Sequence, residues 1–469
     1  MNINEFNDKK KFSEASGIIS LIDSRISLRL NKYGLYEESI DSADYEELDP
    51  KCINVTPYLN SSLNEGDISE ELFSNNEEVQ YDNRLGYFCG LYVGHVFEGD
   101  YRKNASSGGV GTWILKELLA QKLVDGVIHV KENEDKSSPI LFSYQISRNL
   151  KEVKEGAKTK YYPVELSEIL KTVKNEKGKF AIVGIPSFIM AIRLLAKEEP
   201  IFSDKIAYTI GLICGHQKSS KFAEYMAWQV GIKPGNLKHI DFRYKIDGLR
   251  ADKYAIKMEG LINGEEKTII KLKDELGGQN WGLGYFKPLA SDYTDDVFNE
   301  TADIVVGDAW LPEYTGDSLG NNILIVRNQL LNSLIEKSIE SGVLKLDKVN
   351  SEKIFQSQAA HYRHTKEELP YRIYNKKNGN RWYPKLRVEP SNSLPITRKL
   401  VQRIRIIISE KSHLYYKVAV EKGDVGYFER KMRFYELIYN FVYLLMGIQN
   451  KGLIGTLKYF KCRLTRSKS

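Results

Sequence analysis

The sequence predicts an α/β protein, built on a mixed, mostly parallel sheet with helices on both faces, preceded by a small irregular segment. Three observations carry this. From residue 87 to residue 245, apolar strand-like runs alternate with amphipathic helical runs, the rhythm of a sheet covered on both sides. Two further apolar strands follow in "ADIVVGDAW" and "NNILIVRN". The chain has 469 residues, 42% apolar and 28% charged, enough to fold around one large core or two to three domains.

The elements follow in order. Residues 1–80 are polar and irregular; within them "SLIDSRISLRLNKYG" alternates as a short strand or hairpin would, and "SSLNEGDISEELF" reads as a turn entering a helix, with Asn64 or Asp67 as cap. "YFCGLYVGHV" is a strand. "GGVGTWILKELLAQKLV" is an amphipathic helix, with Trp113, Leu115, Leu118 and Leu119 at helical spacing. Then come strand "DGVIHV", strand "GKFAIVGIP", helix "SFIMAIRLLAK", strand "KIAYTIGLICG", helix "KFAEYMAWQVGI" and strand "LKHIDFRYK". Residues 250–275 read as antiparallel strands about "LINGEE", whose Asn-Gly pair marks a hairpin. Beyond about residue 350 the chain turns basic and helical. These shifts divide it into 1–80, 81–345 and 346–469.

Composition excludes several classes. A net charge of +6 is small for this length and does not describe a nucleic-acid binder. Cys52, Cys89, Cys214 and Cys462 are far apart and form no CxxC pair, so neither a disulfide framework nor a zinc site is indicated and a reduced, cytoplasmic protein is expected. The N-terminus has no apolar signal-like region, and no run of about 18 apolar residues predicts a membrane span. The last 19 residues are basic without a single acid. They would suit peripheral contact with an anionic membrane, or a basic end trailing a packed helix.

Three stretches bear chemistry. In "NASSGGVGT" a strand end, a Ser/Gly turn and a helix make either an anion cradle or a capped helix. Ser106 or Ser107 would cap, and Gly108 and Gly109 would admit close approach of a ligand. In "AIVGIPSF" the strand ends at Gly184, with Pro186 and Ser187 opening a helix; Ser187 reads as its cap. This is where open α/β sheets bind ligands. In "ADIVVGDAWLPEY" Gly307 and Asp308 lie at a strand end before Trp310 and Pro312. His361 and His364 share a helical face and read mainly as a solvated basic surface, with phosphate or an acidic sugar as the functional alternative. His216 could face a pocket or serve structure. Arg102 and Lys103 could face a cofactor or the solvent.

Together, "YRKNASSGGVGTWILKELLAQKLVDGVIHV", "GKFAIVGIPSF", "IGLICGH", "IDFRYKIDG" and "ADIVVGDAWLPEY…GNNILIVRN" resemble, in this order, the beta-subunit family of coenzyme F-420 hydrogenases and dehydrogenases. The resemblance runs from about residue 13 to residue 330 and resides in the ordered set. It implies a small ferredoxin-type segment over 1–80 followed by an α/β flavin domain over 81–345. It also implies an FAD beside a substrate pocket. Ala105, Ser106, Ser107, Gly108, Gly109 and Thr112 would then contact the FAD phosphates. Gly184, Pro186 and Ser187 would border the pocket, and Gly307, Asp308, Asn321 and Asn322 would line it, Asp308 being the first candidate catalytic residue. Some relatives sit in bacterial polysaccharide gene clusters, which makes polysaccharide biosynthesis a candidate setting.

The departures from that family are as informative. Its iron–sulfur cysteines would fall at Ser13, Ser16, Ile19, Thr56, Ser187, Ser291, Thr294 and Thr301. All lack sulfur, and clusters are held by Cys thiolates, so no 4Fe-4S centre is expected. The resulting expectation is an FAD-dependent oxidoreductase without clusters, acting on a small-molecule substrate or redox partner. The alternative is an inactive member that serves as a binding or assembly protein.

Overall fold

The computed structural model describes residues 1–40, 47–75, 78–135 and 138–466, with side chains described as far as residue 449. The strands, in chain order, are β1 (Ile26–Leu30), β2 (Tyr36–Ile40), β3 (Gln80–Asp82), β4 (Gly86–Phe88), β5 (Gly90–Val96), β6 (Gly126–Glu132), β7 (Phe142–Ser147) and β8 (Phe180–Gly184). They continue as β9 (Ile206–Leu212), β10 (Leu237–Tyr244), β11 (Ala255–Ile262), β12 (Glu265–Leu272), β13 (Ile304–Asp308), β14 (Asn322–Val326) and β15 (Leu344–Lys348).

Eight of these form the main sheet, in the order β15-β5-β14-β13-β9-β8-β6-β7. Its centre, β13-β9-β8-β6, is parallel, as the strand–helix rhythm requires. Both margins are antiparallel, through β14, β5 and β15 on one side and β7 on the other. The expected boundary at residue 345 falls inside β15, which pairs with β5 and belongs to this sheet. "LKHIDFRYK" departs from expectation more sharply. Instead of extending the main sheet, β10 pairs with β11 in a separate three-stranded antiparallel sheet. Its alternating apolar and polar residues are those of a strand buried on one face only. The β11–β12 hairpin turns at Asn263 and Gly264, with φ of +52° and +85°, as an Asn-Gly turn does.

Helices cover both faces of the main sheet. Val110–Ala120 and Gln329–Glu340 pack on one, burying Trp113, Leu118, Leu331 and Ile335. Pro186–Glu198 packs on the other with Phe188, Ile189 and Ile192. A second large core lies between the small sheet, helix Ser220–Trp228, and the two long C-terminal helices Ile396–Lys422 and Val425–Arg466. The N-terminal segment folds as short helices and the β1–β2 hairpin, and it packs through Phe6, Phe12 and Tyr58 on Leu369 and Ile373. Asn64 and Asp67 together close a capping box on helix Glu65–Phe73. No described helix is long and apolar enough to cross a membrane. The expected peripheral contact rests on residues 451–469, whose side chains lie outside the described residues.

Candidate functional site

The turn after β5 is built by its neighbours. A one-turn helix, Tyr101–Asn104, precedes Ala105, which is buried. Neither serine caps the following helix. Gly109 occupies the cap position at φ +86°, and Asn322 Oδ1 accepts from Val110 N–H at 3.2 Å. Gly109 intervenes between the serines and the first turn, so their hydroxyls go elsewhere. Ser106 Oγ accepts from Thr159 N–H at 2.8 Å, and Ser107 Oγ donates to the Asn321 carbonyl at 2.7 Å. The two glycines serve chain packing rather than ligand approach. A Cβ on Gly108 would meet the Gly94 carbonyl at 2.6 Å, and one on Gly109 the Arg102 nitrogen at 2.8 Å. Gly111 and half-buried Thr112 are the second and third residues of the helix, and Gly111 faces open space.

Basic side chains converge on this turn. Arg243 donates to Asp308 Oδ2 at 2.9 Å and to the Ser106 carbonyl at 3.4 Å. Lys245 donates to the carbonyls of Arg102 and Ser107 at 2.5 and 2.9 Å. Lys158 pairs with Asp241 at 3.0 Å, and Lys160 donates to the Gly156, Ala157 and Lys158 carbonyls. Arg102 ties the Gly320 carbonyl at 3.0 Å and Asp317 at 2.5 Å, while Lys103 is exposed. Burial pushes Lys160 down to about 7. Lys245 is also pushed down to about 7, by burial and then by Lys158, Arg102 and Arg243. Asp308 is thus the counter-ion of a buried arginine, a positioning residue rather than a free acid or base. Trp310 flanks the Arg243 guanidinium, 5.2 Å from ring centroid to carbon. Asn321 Oδ1 meets His95 Nδ1 at 2.8 Å, and Asn322 Nδ2 donates to the Gly307 carbonyl at 3.0 Å.

Gly184, Pro186 and Ser187 belong to a second place, a cavity of about 80 Å³ between the N-terminal segment and the end of β8; Pro186 and Ser187 line it. Helix Pro186–Glu198 starts at Pro186 with Ile185 as cap, so Ser187 is free of the capping role expected of it. Its hydroxyl donates instead to Glu14 Oε2 at 2.5 Å, and Ser291 donates to Glu14 Oε1 at 2.5 Å. Ser13, Ser16, Ile19, Thr56 and Thr294 line the same cavity. Ser13 donates to Glu38 at 2.6 Å and Thr56 to the Cys52 carbonyl at 2.6 Å. Thr301 stands apart, fully buried, its carbonyl accepting from Arg193 at 3.0 Å. Burial raises the carboxyl of Glu14, against the hydrogen bonds from Ser187 and Ser291, and pushes Glu38 up to about 7.

The histidines are not on a solvated face. His364 is buried beside Asp292 at 3.3 Å, and His361 packs against Gly215. His216 lines the cavity and packs against Trp281, with ring centroids 4.7 Å apart and the planes tilted by 50°. Sequence reasoning missed Glu14, Arg243 and Lys245. The only signal for Arg243 and Lys245 was a pair of cations alternating with aromatics in "FRYK". Glu14 had none.

Residues 91–171 match the family model for the N-terminal part of the coenzyme F420 hydrogenase/dehydrogenase beta subunit, and residues 177–352 match the model for the C-terminal part of that beta subunit. An uncharacterized protein of Methanocaldococcus jannaschii is 27% identical over 253 residues, 52% of this chain and 62% of its own length. The F420-dependent formate dehydrogenase subunit beta of that organism is 31% identical over 171 residues, 36% of this chain and 41% of its own. Its coenzyme F420-dependent sulfite reductase is 30% identical over 177 residues, 34% of this chain and 26% of its own. The chain therefore spans less than two thirds of the length of each of these relatives. A chain from the F420-reducing NiFe hydrogenase complex of Methanosarcina barkeri aligns with TM-score 0.47 and 16% identity, over 65% of this chain and 98% of that one.

Proposed function

Because the chain belongs to the coenzyme F420 hydrogenase/dehydrogenase beta-subunit family, we propose that it is a flavin-dependent oxidoreductase that works without iron–sulfur clusters on a small-molecule substrate. The observation that carries this is the convergence of Arg102, Arg243 and Lys245 on the turn before helix Val110–Ala120, with Lys158 bonded to the Arg243 carbonyl behind them. Lys245 is pushed down to about 7 by burial and then by Lys158, Arg102 and Arg243, a crowding of cations that a diphosphate would relieve. The first helical turn is open at Gly111, and a helix N-terminus favours an anion. Arg243 and Lys245 would hold the diphosphate, and Tyr161, Trp281 and Trp310 offer the aromatic surface nearby. FAD, when bound, supplies the electron-transfer chemistry, and the protein supplies binding and orientation. Asp308 keeps Arg243 in place, and Asn321 and Asn322 fix the turn against β14.

The cluster positions do not fit an iron–sulfur centre. Their donors are hydroxyls, plus an isoleucine with no donor, and the Glu14 carboxylate already takes the hydroxyls of Ser187 and Ser291. Purified protein is expected to show flavin absorbance or to take up added FAD. Lys245→Met and Lys158→Met are expected each to weaken FAD binding about tenfold, the scale of a charge-assisted contact. A colourless protein that takes up no FAD would sink this reading and leave the inactive binding or assembly protein in its place. Iron in stoichiometric amount with a broad visible shoulder would overturn the cluster-free part alone.

A further inference from the structure

Helix Val425–Arg466 has two apolar sides, and the fold uses one of them. Phe428, Met432, Tyr439 and Val442 are buried in the second core. Phe434, Leu437, Ile438, Phe441 and Leu445 are exposed, with Phe434, Leu437 and Phe441 at 61%, 60% and 57%. At 3.6 residues per turn these five fall within roughly 100° of the helix circumference and make a single outward stripe. Apolar residues exposed singly need no explanation, whereas a contiguous apolar patch marks an interaction surface.

Charge says what the surface meets. Arg430 and Lys431 are exposed one turn before Phe434 on the same side; Arg430 also pairs with Asp424 at 2.9 Å. Tyr427, two turns before Phe434, has Lys422 Nζ and Lys431 Nζ at 4.5 and 5.8 Å from its ring centre, the amphipathic combination that suits a boundary between water and lipid. Glu436 accepts from the Tyr285 hydroxyl at 2.7 Å, and after it the chain has no acidic residue. It has instead Lys451, Lys458, Lys461, Arg463, Arg466 and Lys468, and the helix runs on to Arg466. A second copy would bring an equal surplus of cations to the contact. An anionic bilayer offers hydrocarbon to the stripe and phosphate to the cations in one surface. From Phe434 to Leu445 the stripe is roughly 17 Å long at 1.5 Å per residue. That is short of the roughly 30 Å of a bilayer core, so it suits a helix lying along the surface.

We propose that the outward stripe of helix Val425–Arg466 seats the protein on an anionic lipid bilayer. The apolar side chains enter the boundary between headgroups and acyl chains, and the basic residues that follow position 450 meet the lipid phosphates. The element lies beyond residue 352, where the family match ends, so this attachment stands apart from the flavin reading.

The test floats the full chain with vesicles of phosphatidylcholine alone and of phosphatidylcholine and phosphatidylglycerol in equal parts, at low and high salt. Binding to the mixed vesicles is expected to be at least tenfold stronger than to the neutral ones and to fall as salt rises. Phe434→Ser combined with Phe441→Ser is expected to weaken it at least tenfold, since two rings lose their burial in lipid. Lys458→Gln, Lys461→Gln, Arg463→Gln and Arg466→Gln together should abolish the preference for the anionic lipid. Leu330→Ser, at an exposed apolar residue of another helix, should leave binding unchanged. No flotation, equal flotation with both vesicle types, or flotation untouched by either set of changes overturns the proposal. So does a dimer in sedimentation velocity that the Phe434 and Phe441 changes dissolve, which would assign the stripe to a second copy. Should either variant misfold by near-ultraviolet circular dichroism, the other variant and the wild-type comparison of the two lipids decide.

Discussion

Glu14 reaches across 173 residues to Ser187 and 277 residues to Ser291, and so ties the N-terminal segment to the two loops beside it. Glu14→Ala is expected to strand two hydroxyls and to lower stability by about 2–4 kcal/mol, since a buried unsatisfied donor costs about 1–3 kcal/mol. Urea denaturation measures this, and Glu14→Gln, which keeps one acceptor, should lose less. Nearby, Glu38 makes a different contribution. Burial holds its folded carboxyl up at about 7, against the lowering by Ser13 and Lys10. A raised carboxyl stabilises the fold fully below the unfolded value of about 4.5. That contribution fades as pH rises through 7. The stability difference between wild type and Glu38→Gln is therefore expected to drift by on the order of 1–3 kcal/mol between pH 4.5 and pH 8. A flat difference across that range would refute it.

Helix Val110–Ala120 shows how an element depends on distant chain. Its first N–H is capped by Asn322, 212 residues away. Asn322→Ala is expected to destabilise by about 1–2 kcal/mol, the worth of a cap, and to weaken FAD uptake with it. Ser106→Ala, which removes the hydroxyl that accepts from the Thr159 amide, should have the milder effect. Gly108→Ala must push its new carbon past the Gly94 carbonyl and Asn322; severe destabilisation in thermal melts is expected, and a wild-type melting temperature would contradict the packing. These elements also mark what the sequence disclosed. The alternation of strand and helix was readable because each run carries its own periodicity, and the Asn263-Gly264 hairpin because its turn residues are local. The cap of Val110 was not, because serines adjacent in sequence outcompete, on paper, an asparagine two hundred residues on. The same holds for Glu14, an acid among serines with no pattern to distinguish it. β10 was recognisable as a strand, but its sheet was not, since one-faced alternation says how a strand is buried and not with which partner.

At the scale of the whole molecule, the C-terminal helices are part of the core rather than an appendage. Ile404, Ile408, Tyr416, Phe428 and Met432 are buried against Tyr225, Met226 and Phe286, with Phe428 and Tyr225 rings 4.7 Å apart and Phe286 and Tyr416 rings 5.3 Å apart. Truncation after residue 395 is expected to give insoluble protein, because it uncovers that whole apolar face. Truncation after residue 449 should leave the melting temperature within a few degrees; a large fall would show that the terminal helix also holds the fold. The same architecture sets an order of assembly during synthesis. Phe286 leaves the ribosome well before Phe428, and at about 5–20 residues per second the interval is roughly 7–30 s. Throughout it the nascent chain carries a half-built second core with an open aromatic wall. Temperature and chaperone supply while it is being translated therefore bear on its yield as much as the stability of the finished protein does.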